Sequence, residues 1–167
     1  MIDFTKSKQY TLSIRLSTDG FSFSIYNPIH DDSLSIIEKE IDTSLSLTAN
    51  LKAVFHESDF LNHPYKRVNI MMASKRFTIA PLDLFEEGQA ELLFYHNHQK
   101  RENETVLYNI LRKNNVAVIF GIDKSAQTFL NEQYPEARFY SQSTPFIDYF
   151  SVKSRLGNSK KMYASIR

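Results

Sequence analysis

The chain has 167 residues, 42% of them hydrophobic, with thirteen Phe and nine Tyr but no Trp, enough for one domain with an aromatic-rich core. Twenty Lys and Arg against nineteen Asp and Glu leave a formal net charge of +1, so no global field draws the chain to nucleic acid or an anionic membrane. Without Cys, disulfides, thiolate nucleophiles, iron–sulfur clusters and cysteine-ligated zinc are excluded.

The opening MIDFTKSKQY has no apolar core of signal-peptide length, and no run approaches the roughly 20 apolar residues of a membrane span. The expectation is a cytoplasmic protein with no membrane span. Four Gly and five Pro leave little material for a long linker, which favours one compact unit.

The first elements form a meander. Leu12, Ile14 and Leu16 share one face of a strand within Thr11–Ser17, and Phe21, Phe23 and Ile25 share one face of Phe21–Asn27. Asp19-Gly20 between them suits a tight hairpin in which both turn positions tolerate positive φ. Leu34–Ile41 supplies a third strand. A helix is expected near Ser46, since Leu47, Leu51, Val54 and Phe55 repeat at helical spacing, and Asn62-His63-Pro64 ends the run.

Arg67–Ala73 (VNIMMA from Val68) reads as a buried strand, and Phe77–Ala80 as a short one stopped by Pro81. Glu86–Asn97 reads as a helix weakened by Gly88, followed by strands at Thr105–Arg112 and Val116–Gly121. Asp123 can cap a helix that turns Ala126, Phe129, Leu130 and Tyr134 inward; Ala137–Tyr140 is a further short strand. Thr144-Pro145 places a capping hydroxyl before a first-turn proline, opening a helix to about Leu156, and Lys161–Arg167 reads as a last strand.

Helices alternating with strands after an antiparallel start favour a mixed α/β sheet covered by helices on its faces, with Val68, Ile70, Val118 and Phe120 joining Leu12, Ile14, Leu16 and Phe23 in one sheet. This is the order of a ribonuclease-H-like lobe. The segments LSIRLSTDGFSFSIYN and FTIAPLDLF, with the spacing of the later elements, resemble an uncharacterised bacterial family of actin-like-fold proteins. Leu12-Ser13-Ile14-Arg15 is echoed by Ala164-Ser165-Ile166-Arg167, where an internal duplication would repeat the opening strand. The resemblance implies that residues 1–160 form the first lobe of an actin-like ATPase fold and that 161–167 begin a second.

In active actin-like ATPases the first strand typically runs into an Asp-x-Gly-Thr-like loop whose acid acts through metal-bound water. Aligned by its two strands, that pattern puts Arg15 at the acid, Ser17 at the glycine and Thr18 at the hydroxyl. A guanidinium cannot hold Mg²⁺. Asp19-Gly20 could supply the acid only from the turn apex. Arg15, Ser17, Thr18, Asp19 and Gly20 are therefore read as the remnant of a phosphate loop, and no catalytic or metal residue is assigned.

Other chemistry finds less support. Glu38, Glu40 and Asp42 alternate onto one face, as solvated acids at a sheet edge do, and a ribonuclease-H-type nuclease would need an acid near Arg15. Histidines two apart on a helix, such as His96 and His98, cannot chelate together. The basic stretch Ser151–Arg167 reads as a solvated terminus or interdomain surface rather than a nucleic-acid site. The leading functional reading is a non-catalytic, actin-like-fold interaction or assembly module with no cofactor, an unknown protein partner and a capacity to self-associate. The alternative is a nucleotide-binding protein, using ATP with Mg, whose site a second lobe completes. A ribonuclease-H-like nuclease ranks third.

Overall fold

The computed structural model describes residues 2–29 and 33–155. The expected strand at Lys161–Arg167, and with it the boundary at 160, lies outside the described residues. A five-stranded sheet is built from β1 (Thr11–Leu16), β2 (Gly20–Asn27), β3 (Ser33–Glu40), β4 (Arg67–Met72) and β8 (Arg138–Ser141), in the order β3-β2-β1-β4-β8. The meander pairs antiparallel, whereas β4 runs parallel to β1 and β8 parallel to β4. Between β4 and β8 the chain inserts a second, antiparallel sheet of β5 (Phe77–Pro81), β6 (Glu104–Leu111) and β7 (Val116–Asp123), in the order β5-β7-β6.

Period-two alternation on β1 puts Leu12, Ile14 and Leu16 on one face, all with no exposed surface. Against that face pack α1 (Leu47–Glu57), through Leu51, Val54 and Phe55, and α3 (Lys124–Gln133), through Ala126 and Leu130. Ser46 caps α1 by accepting from Ala49 N, and Asp123 caps α3 by accepting from Ala126 N, as the residue types suggest. Aromatic edges close the core: Phe55 meets Phe129 at 5.2 Å, and Phe23 meets Phe60 at 5.6 Å. Tyr134 donates its hydroxyl hydrogen to Leu61 O at 2.6 Å, and its burial raises the pKa of that phenol.

Four expectations need correction. Val118 and Phe120 lie in β7 of the inserted sheet, not in the main one. The place beside β4 is taken by the four-residue β8, and the β6–β7 hairpin pairs with itself and with β5. The β1–β2 turn is centred one residue earlier than expected, and neither Thr18 nor Asp19 has positive φ. Ser17 N donates to Gly20 O, while Ser17 Oγ accepts from Asp19 N and donates to Gly20 O, so one side chain closes the turn. Gly20, at φ +154°, lies where a Cβ would stand 2.7 Å from Lys39 O on β3.

The third correction concerns α4 (Ser143–Arg155), which begins two residues before the Pro145 start that a Thr144 cap implies. The Thr144 hydroxyl donates instead to Asn109 Oδ1 on β6, at 2.7 Å. Asn109 also receives Ser141 N at 3.0 Å and donates to Phe139 O at 2.9 Å. Its carboxamide thus meets one acceptor and one donor on the outer side of β8, as a neighbouring strand would. In the insert, Gly88 sits in a 3-10 turn, and the regular helix, α2 (Ala90–Asn97), starts only after it.

Candidate functional site

At the carboxyl ends of the parallel strands β1 and β4, the region where open α/β sheets bind ligands, lies a cleft of about 310 Å³. Its floor is Leu16, Met72 and Ala73. One wall is the segment from Ile41 to Leu47 leading into α1, and the opposite wall comes from the insert, through Arg76, Arg101, Glu104, Gly121 and Asp123. Asn50 shapes the first wall: its Oδ1 accepts from Asp42 N at 2.7 Å, and its Nδ2 donates to Asp42 O at 2.9 Å and Ser46 O at 3.0 Å.

The carboxylates of the cleft are already engaged. Glu104 takes Arg76 Nε on Oε1 at 2.9 Å and Arg76 Nη2 on Oε2 at 2.7 Å, in a pair whose side chains are 7% and 16% exposed. That hydrogen bonding raises the Arg76 pKa above its ordinary value. Arg76 Nη2 also donates to Gln99 O, and its guanidinium lies 5.3 Å from the Phe94 ring centre. Tyr95 donates to Glu104 Oε2 at 3.3 Å; burial first, and then the nearby carboxylate, push its phenol pKa up. Gly121 leaves room for this arrangement, since a Cβ there would stand 2.7 Å from Glu104 Cδ.

Asp123 is held in the same way. Oδ1 accepts Ala126 N at 2.8 Å and Thr48 Oγ1 at 3.4 Å, while Oδ2 accepts Asn103 Nδ2 at 2.8 Å. The carboxylate is a helix cap that also ties the insert to α1.

The residues expected to form a phosphate loop are divided. Ser17 and Thr18 line the cleft. Arg15, Asp19 and Gly20 line a separate concavity, with Ser17, Glu38 and Glu40, on the other side of the hairpin. Alternation explains the split, because Arg15 stands between Ile14 and Leu16 on β1 and so faces away from the core. Among the described residues, no three His, Asp or Glu side chains are grouped to hold a metal ion. His98 serves the insert: its Nε2 lies 3.1 Å from Phe77 O and 3.3 Å from Thr78 Oγ1.

The donor set does not suit a magnesium nucleotide. Both cleft carboxylates spend their oxygens on protein donors, and the four charged side chains lining the cleft cancel formally. Arg76, Arg101, Glu104, Gly121 and Asn50 all escaped the sequence reading. Arg76 and Glu104 lie 28 residues apart with no spacing signature, but a glycine in the apolar run VAVIFG was a readable sign of close approach.

A small α/β lobe with three antiparallel strands, two parallel ones and a cleft at the parallel ends is ribonuclease-H-like, the kind of lobe from which actin-like ATPase folds are built. A crystal structure at 1.85 Å resolution from Bacteroides thetaiotaomicron VPI-5482, described as a protein with actin-like ATPase fold and unknown function, is 83% identical and superposes with a TM-score of 0.93. The match covers 100% of this chain and 65% of that one, so this chain spans about two thirds of the solved protein's length. Residues 1–167 match the family described as a protein of unknown function (DUF3822), and the chain belongs to that family. No curated protein matches it.

Proposed function

We infer that this chain is a non-catalytic actin-like-fold protein, an interaction or assembly module that works by binding rather than turnover. One observation carries the reading: Glu104 and Asp123, the carboxylates lining the cleft, are tied to Arg76 and to the α3 amino terminus, leaving no free carboxylate there among the described residues. The surface supports it. Phe146, Tyr149 and Val152 on α4 are 39%, 53% and 48% exposed, and Leu34 and Ile36 on β3 are 57% and 64% exposed. No helix among the described residues is long and apolar enough to cross a membrane. The test is release of phosphate from ATP and GTP, and cleavage of nucleic acid, with Mg²⁺ and Mn²⁺. Rates at background are expected; turnover that survives purification and disappears in Asp19→Asn or Glu40→Gln would defeat the reading.

A second reading, a nucleotide site completed by another lobe, is favoured by the extra third of the Bacteroides protein beyond the matched region. Calorimetry of ATP against that longer protein tests it. Micromolar binding with hydrolysis would move this reading ahead.

A further inference from the structure

We propose that the cleft at the ends of β1 and β4 takes a ligand bearing one carboxylate on an apolar body. The proposal rests on the non-catalytic reading above and names what the cleft would hold. Of its four charged side chains, Arg76 and Glu104 neutralise each other, and Asp123 is taken up by Ala126 N, Thr48 and Asn103. Arg101 is exposed and, among the described residues, makes no hydrogen bond or ion pair. The cleft therefore offers one unspent guanidinium, whose paired N–H groups match the two oxygens of a carboxylate.

The remaining lining decides the body of the ligand. Leu16, Ile41, Leu45, Leu47 and Met72 make most of the surface apolar, and Leu45 is 51% exposed although it stands in the cleft wall. Asn50 cannot recognise a polar ligand through its amide, because that amide holds the backbone of Asp42 and Ser46. A triphosphate would bring several negative charges to one free cation and the capped Asp123 carboxylate, whereas a monocarboxylate needs only Arg101. The acid could be a free small molecule or the terminus of a peptide ending in an apolar residue; both present the same chemistry.

Calorimetric titration of the whole chain separates the outcomes. Octanoate and the free acid of acetyl-Ala-Ala-Leu are the probes, each against its uncharged ester or amide, with ATP as competitor. Saturable binding of at least one acid is expected, with the uncharged partner about tenfold weaker. The acid that binds tighter identifies the source. Arg101→Gln, an exposed substitution, and Leu45→Glu, which sets a negative charge in the wall, should each weaken the acid by about tenfold while the melting temperature stays put. Equal binding of acid and ester, wild-type affinity in Arg101→Gln, displacement by ATP, or no acid binding would each overturn the assignment. Such a failure leaves the non-catalytic reading standing, because that reading falls only to turnover in the separate hydrolysis assay.

Discussion

The main sheet and the insert solve the same problem by different means. The main sheet lays its apolar face under two helices, and its centre is Leu12, Ile14, Leu16, Phe23 and Ile70, all without exposed surface. The insert has one helix over a small cluster of Ala80, Ala90, Phe94 and Ile119, and adds a buried ion pair and a bridging asparagine. The insert also buries Val118, Phe120 and Ile122 on β7, but beyond that strand it takes order from directional bonds, which fail abruptly when one partner is lost.

That contrast can be broken most severely in the main core. Phe23→Ala should cost about 3–5 kcal/mol by urea denaturation, a large share of the stability of a domain this size, and should unfold both sheets together. Glu104→Ala should cost about 3 kcal/mol by leaving Arg76 partly buried and unpaired. Here hydrogen exchange should quicken in β5, β6 and β7 while β1 and β4 stay protected. Gly121→Ala should act in the same direction, because its Cβ displaces Glu104. If the amides of β1 open equally, the two regions form one cooperative unit and the distinction drawn here is wrong.

Smaller effects sharpen the picture. Asn109→Ala should cost about 1–3 kcal/mol, since Phe139 O and Ser141 N lose their partner, with faster exchange at Ser141 as the readout. Asp42, in the cleft wall, accepts from Ser44 Oγ at 2.6 Å and Ser44 N at 2.9 Å, bonds that lower its pKa below the ordinary value. The stabilisation from a lowered carboxyl is present above the unfolded pKa and is lost as pH falls through the folded one. Carbon NMR should show Asp42 titrating low, and Ser44→Ala should return it toward normal.

Much of the fold was legible because the signals were local. Alternation at Leu12, Ile14 and Leu16 and the helical spacing of Leu47, Leu51, Val54 and Phe55 each point to one conformation and one buried face. Which strands share a sheet was not legible: Val68–Met72 and Val116–Phe120 are both largely apolar, and the pairing of β4 with the distant β8 rather than with β7 has no local signal. The turn was placed one residue late because Asp-Gly chemistry was weighed without the side chain of Ser17. The site was least legible. The side of the hairpin on which Arg15 stands, away from Thr18, and the pairing of Arg76 with Glu104 arise only in the folded chain.

The carboxamide of Asn109 also bears on how copies of this sheet can add to one another. Asn109 occupies Phe139 O and Ser141 N on the outer side of β8, whereas β3, at the other border of the five-stranded sheet, has no strand beside it among the described residues. Unpaired N–H and C=O groups at a border are a template for an added strand, and groups already bonded to a side chain are not. A strand offered to the five-stranded sheet is therefore accepted more readily at β3 than at β8.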